Sequence, residues 1–304
     1  MRCTVNFAAG IWGIIDIPFF SQTAITTFAA EIKNVSEMLV DNTFTLITGA
    51  SMGIGRCLAL ECASRGMNVL LVALEENLLA ELAQNIRQQY GVEADFKPAD
   101  LTQPADIRAV YDWCIERHYK VNMLLSNAGI GSGGIYENNP LEKYRTLVLL
   151  NNMAAVQLTH HFLPMLKQNG PAWLMYTSSM EATIPIPFKA VYTASKHFLY
   201  GFSLALKEEL RDFGVSVSVL CPGPVATNEG SIARLKTQGK IGKLVVLTPE
   251  AVATHAIKGL LAGRRVIVPG ALPSLLEKLL LCIPRNLKMK LLKRVFGKYK
   301  EVQQ

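Results

Sequence analysis

The sequence predicts an α/β protein, a doubly wound parallel sheet with helices on both faces, built as a single domain over about residues 43–270. Three observations predict it. Short strand-like runs alternate with helical stretches over about 225 residues, the pattern of a parallel sheet covered on both faces. A glycine-rich turn sits between the first strand and the first helix. That placement favours an open sheet, with its ligand crevice at the strand carboxyl ends, over a closed barrel. No linker or internal repeat divides the run.

Each element has a local cause. Thr43–Thr48 is a β-branched and aromatic strand, and Gly49-Ala50-Ser51-Met52-Gly53-Ile54-Gly55 opens a helix through Ser64. Glycines let backbone amides approach a pyrophosphate, whose charge a helix N-terminus favours. Asn68–Ala73 reads as a buried strand and Glu75–Tyr90 as an amphipathic helix carrying Leu78, Leu79 and Leu82. Ala94–Lys97 is a third strand, and Thr102 is the expected cap of a helix from Pro104 to about His118. Val121–Ser126 is the fourth strand, followed by Asn127-Ala128-Gly129. One long helix is expected over about Leu141–Lys167, then a strand at Ala172–Thr177. A helix over Val191–Phe213 leads into Val215–Leu220, which carries valine at every second place and stops at Pro222-Gly223-Pro224. Pro249–Ala262 is helical, and Arg265–Val268 is a last short strand.

Half of the 304 residues are hydrophobic and 18% are charged, which suits a large core. The six cysteines have no C-x-x-C pair and no metal-ligand spacing, so free thiols in a reducing, cytoplasmic compartment are expected. The histidines match no triad or metal pattern, and no metal is expected. Of the net charge of +7, six charges lie in residues 271–304, where eight basic residues oppose two acids. A uniformly basic, nucleic-acid-binding body is thereby excluded.

The two ends differ from the body. Residues 1–42 form a hydrophobic extension, in which Val5–Phe20 is interrupted by Asn6, Asp16 and Pro18. The run is too short and broken for a membrane-spanning helix and lacks the clean core of a secretory signal, so packing on a partner or a membrane surface is favoured. Residues 271–304 form a basic tail with Leu287, Leu291, Leu292, Val295 and Phe296 at helical spacing among lysines. Such helices lie peripherally on anionic membranes, make dimer contacts or close over a substrate mouth. The membrane reading is the favoured one.

Tyr192 and Lys196 fall four apart on a helix, with Ser178-Ser179 upstream. An ammonium beside a phenol favours the phenolate and is expected to lower its pKa. A tyrosine tuned in that way acts as a general acid or base. Alone, this spacing is more often a solvated pair.

Taken together, these motifs resemble the classical short-chain dehydrogenase/reductase family over about residues 43–270. Gly49, Ser51, Met52, Gly53, Ile54 and Gly55 are similar to its cofactor-binding turn, and Asp100-Leu101 to its adenine-contacting pair. Ser126-Asn127-Ala128-Gly129 resembles its Asn-Asn-Ala-Gly element, with serine in first place. Ser179, Tyr192 and Lys196 match its catalytic set, and Asn151 its helix asparagine, although Asn152 adjoins it. Pro222, Gly223 and Thr227 match the element beside the nicotinamide. The resemblance implies a Rossmann-type fold and NAD(P)(H) as cofactor. It implies hydride transfer between that cofactor and a ketone or secondary alcohol.

In that scheme Tyr192 transfers the proton, Ser179 polarises the substrate oxygen, and Lys196 tunes Tyr192 and bonds the nicotinamide ribose. Asn151 holds a water that links Lys196 to solvent. Two departures leave NAD versus NADP open: basic residues that mark NADP users are replaced by Met52 and Leu74, and the acids come late, at Glu75 and Glu76. Residues 226–247, apolar with basic edges, stand at the place of the substrate lid and suit a lipophilic carbonyl or alcohol, steroid-like or fatty-acyl-like. A homodimer or homotetramer is expected. A non-catalytic nucleotide-binding regulator and a membrane-surface adaptor are the alternatives.

Overall fold

The structure, a computed structural model, describes residues 42–225, 246–270 and 283–297. Seven parallel strands form one sheet in the order β3-β2-β1-β4-β5-β6-β7. They are β1 (Thr43–Thr48), β2 (Asn68–Ala73), β3 (Ala94–Pro98), β4 (Lys120–Ser126), β5 (Ala172–Thr177), β6 (Val215–Leu220) and β7 (Val266–Ile267). The sheet is open, with β3 and β7 at its edges. The strand order reverses between β1 and β4, where a ligand crevice opens at the strand carboxyl ends of such folds.

The helices are α1 (Gly53–Ser64), α2 (Glu76–Tyr90), α3 (Pro104–Glu116), α4 (Leu141–Val148), α5 (Ala154–Gln168), α6 (Ala190–Glu209), α7 (Pro249–Leu261) and α8 (Arg285–Val295). All six residues of β5 are buried, as a strand covered on both faces requires. Val110 of α3 and Leu158 and Phe162 of α5 pack with Leu124 of β4 and Leu174 of β5 in one core. Removing such a side chain costs about 2–5 kcal/mol.

Two local expectations are corrected. Thr102 does not cap α3: the cap position is Gln103. The Thr102 hydroxyl donates instead to Asp100 Oδ1 at 2.8 Å, an Asx-type turn that competes with capping. The long helix expected over 141–167 is broken into α4 and α5 by a π turn at Leu149–Met153, which contains Asn151. Such single turns recur at functional sites. The readings of the N-terminal extension, the lid at 226–245, Thr227 and the first part of the tail lie outside the described residues. Among the described residues, no helix is long and apolar enough to cross a membrane.

Candidate active site

The site is assembled where β1, β4 and β5 end. Thr48 Oγ1 accepts the N–H groups of Asn127 and Ala128, each at 3.0 Å. Asn127 Nδ2 donates to the Thr48 carbonyl at 3.1 Å, and its Oδ1 accepts from Thr177 Oγ1 at 3.1 Å. One asparagine therefore ties three strand ends together.

Against this frame lies the glycine-rich turn. Gly49 has φ +66°, a left-handed conformation that suits glycine. A Cβ on Gly55 would stand 2.0 Å from the Gly49 carbonyl oxygen and 2.6 Å from Asn127 Nδ2, so no side chain fits there. No side chain caps α1 and no acid lies in its first turn, so its N-terminal amides remain available to an anion. Met52 is half exposed at the mouth. Buried Ser51 donates to Glu75 Oε2 at 2.8 Å, bringing a carboxylate from the end of β2 to the turn. Asp100 Oδ1 also accepts the Thr102 N–H at 2.9 Å, and these bonds hold its carboxyl below the usual range. Leu101 is buried in the core. An uncapped helix start, a cradle that a Cβ would fill and an acid at the second strand fit a dinucleotide.

The second half of the site comes from β5 and α6. Ser179 follows β5 in extended conformation, and its hydroxyl accepts the Glu181 N–H at 3.1 Å. Local bonding is therefore one part of its role, and its hydroxyl also acts on Tyr192, whose pKa it draws down. Ser178 Oγ donates to the Lys196 carbonyl at 2.7 Å, docking α6 on the strand end. Lys196 is only 5% exposed, and its ammonium donates to the Thr177 carbonyl at 2.9 Å. Its Nζ lies 5.9 Å from the Tyr192 ring centre.

The electrostatics differ from the sequence expectation. Burial pushes the Tyr192 phenol well above its ordinary pKa, the Glu181 charge pushes it further, and the Ser179 hydroxyl draws it back. Lys196 does not offset this, because burial drives its own pKa down to about 8 and its ammonium is engaged by Thr177. Tyr192 is thus held as the protonated acid.

Asn151 meets this centre from the π turn. Its Oδ1 accepts the Ile130 N–H at 2.9 Å, and its Nδ2 donates to the Ile130 carbonyl at 3.1 Å and to Ser195 Oγ at 3.0 Å. Asn152 instead donates to the Ser195 carbonyl at 2.8 Å. A Cβ on Gly129 would stand 2.9 Å from Asn151 Oδ1 and 3.3 Å from Lys196 Nζ, so Asn151 and Lys196 flank one point. Across the crevice, Pro222 accepts the Met180 N–H at 3.0 Å, and Gly223 follows it.

Sequence reasoning missed Glu181 and Lys189, which pair at 2.7 Å beside Tyr192. The other carboxylate oxygen of Glu181 is buried with no hydrogen-bond partner. Its position two residues after Ser179 was the available signal. A cavity of about 190 Å3 adjoins the pair, lined by Ser132, Tyr136, Tyr144, Phe188 and Lys189 among others. Among the described residues no group of side chains could hold a metal.

A parallel sheet with a dinucleotide-type turn at its switch point, and buried Ser179 and Lys196 flanking half-buried Tyr192 beside it, defines a nucleotide-dependent oxidoreductase. The short chain dehydrogenase family matches residues 43–236, and the chain belongs to that family. It is an NAD(P)-dependent enzyme that interconverts CH–OH and C=O groups. It is 34% identical over 186 residues to a 1-deoxy-11-beta-hydroxypentalenate dehydrogenase of Streptomyces exfoliatus, covering 60% of this chain and 67% of that one. A solved 7beta-hydroxysteroid dehydrogenase structure superposes with TM-score 0.74 and 25% identity over 82% of this chain and 96% of the other. A short-chain dehydrogenase of Sphingobium yanoikuyae, solved with NADPH, gives TM-score 0.68 and 28% identity, covering 80% and 97%.

Proposed function

We propose that the chain transfers a hydride between NAD(P)(H) and a lipophilic ketone or secondary alcohol, with Tyr192 as the proton-transferring residue. The observation that carries this reading is the convergence of Ser179, half-buried Tyr192 and buried Lys196 at the end of β5. The bound nicotinamide supplies the hydride. The turn from Gly49 through Ser51, Met52, Gly53 and Ile54 to Gly55 holds its pyrophosphate on α1. Asp100 and Leu101 border the adenine, and Asn127, Ala128, Gly129, Pro222 and Gly223 line the nicotinamide side.

As negative charge grows on the carbonyl oxygen, Tyr192 passes it a proton and Ser179 donates a hydrogen bond to it. The phenol keeps its proton across neutral pH, so it is loaded to act as an acid. Lys196 is buried beside it as the charge that stabilises the phenolate left behind. Asn151 fixes the loop at Ile130 against α6, and the proton is restored along this side.

The likeness to enzymes named for a steroid and a pentalenate supports a lipophilic substrate. The four described cysteines are buried free thiols, which supports a reducing, cytoplasmic setting. Exposed Leu141, Val148 and Phe198 support a homodimer or homotetramer, and the basic tail supports peripheral contact with a membrane. The domain division at 43–270 follows the same reasoning. Tyr192→Phe tests the proposal: turnover of a panel of lipophilic ketones with NADH and NADPH should vanish while nucleotide binding survives. Unchanged turnover would overturn it.

A further inference from the structure

Helix α8 presents two different apolar faces. Leu292 is buried against Ile184 and Ile186, with Met289 and Phe296 packed on the same cluster. Ile184 and Ile186 lie on the segment that joins Ser179 to Tyr192. The tail helix is therefore seated on the loop between the two candidate catalytic side chains. On its other side Leu287, Leu291 and Val295 are 60%, 46% and 53% exposed. At about 100° per residue they form a stripe about 80° wide. Lys290 and Arg294 border this stripe and Lys293 lies further round, all three exposed. Residues 283–297 contain five basic residues and no acid.

We propose that this outer face docks on an anionic lipid surface, and that docking holds the Ser179–Tyr192 loop at the bilayer through the Leu292 seat. Charge complementarity selects the occupant. An apolar stripe bordered by cations matches acyl chains below and anionic headgroups above. A second copy of the same face would set five positive charges against five, which disfavours a two-fold contact here. The docking deepens the oxidoreductase reading by naming the phase from which a lipophilic substrate arrives, and it rests on that reading only in this respect.

The test is co-sedimentation of the full-length chain with phosphatidylcholine vesicles, with and without phosphatidylserine. The wild type should pellet with phosphatidylserine vesicles at least tenfold more, and salt should release it. Leu287→Asp/Leu291→Asp/Val295→Asp and Lys290→Glu/Lys293→Glu/Arg294→Glu should each lose binding, the latter by about a hundredfold. These positions are exposed, so melting curves should match the wild type. Equal pelleting by both vesicle types, no pelleting, or undiminished binding by either variant would overturn the proposal. A dimer in light scattering that the aspartate variant splits, without vesicle binding, would overturn it as well. If the protein binds vesicles yet reduces no ketone, docking stands and the catalytic reading fails.

Discussion

Lys189 holds the Glu181 carboxylate through Oε1 at 2.7 Å, while Oε2 of the same group is buried without a hydrogen-bond partner. This half-paired acid stands two residues from Ser179 and adds to the upward push on the Tyr192 phenol. Replacing it by the isosteric amide removes a negative charge beside a group that becomes negative when it ionises. Glu181→Gln should therefore lower the Tyr192 pKa and move the alkaline limb of the ketone-reduction profile down by about one pH unit. A pH series of kcat/KM checks this, and an unmoved limb would separate Glu181 from the proton.

Tyr192→Phe keeps the ring and removes the transferable proton. Turnover should fall by about 10²–10⁴. Fluorescence titration with NADH and NADPH should show affinities within about twofold of the wild type, because Lys196, Asn127 and the glycine turn are untouched.

Lys196 links the site to stability. Its pKa in the folded protein is lowered to about 8 from 10.5. Between those values Lys196 binds more protons in the unfolded chain than in the folded one, so its contribution to stability rises with pH through this window and the ammonium costs most below it. Urea titrations from pH 7 to pH 10.5 should show the wild type gaining about 3 kcal/mol relative to Lys196→Met, while the buried thiols, whose pKa values are raised, push both proteins the other way above pH 9. The methionine variant should also be without turnover.

Gly55→Ala places a methyl group against the Gly49 carbonyl oxygen. The turn must open to admit it. Stability should fall by about 1–3 kcal/mol, and nucleotide affinity should fall by an order of magnitude or more in calorimetry.

Glu75, held by Ser51, offers a carboxylate that repels a 2′-phosphate and accepts from a 2′-hydroxyl. Glu75→Gln should raise the kcat/KM ratio of NADPH to NADH by about tenfold, the effect of removing one like charge. A ratio that stays constant would mean that the ribose lies elsewhere.

The sheet was legible in the sequence because its central strands are buried on both faces and read as short apolar runs, as Val215, Val217 and Val219 show in β6. The meeting of Ser179, Tyr192 and Lys196 was legible because Tyr192 and Lys196 share a helix face and Ser179 follows a strand end. Three features were not. The π turn at Leu149–Met153 carries no breaker residue, and it is held by bonds from Asn151 and Asn152 to a helix more than 40 residues away. Thr102 satisfied the rule for a cap, yet Asp100 two residues earlier offered its hydroxyl a nearer acceptor. The direction of the Tyr192 shift was misjudged because spacing shows that a lysine is near but not that burial weakens both charges.

The π turn has one more consequence. A regular helix of the same length would carry one residue fewer, so the wide turn between α4 and α5 holds an inserted residue. Deleting one residue from 149–153 would yield a regular helix with both halves still in phase, so Leu147, Leu158 and Phe162 would keep their places. The bonds of Asn151 and Asn152 to Ser195 would be lost with the wide turn that presents them. At this point of the chain the length of the segment, as much as the identity of the side chains in it, is what a lesion would attack.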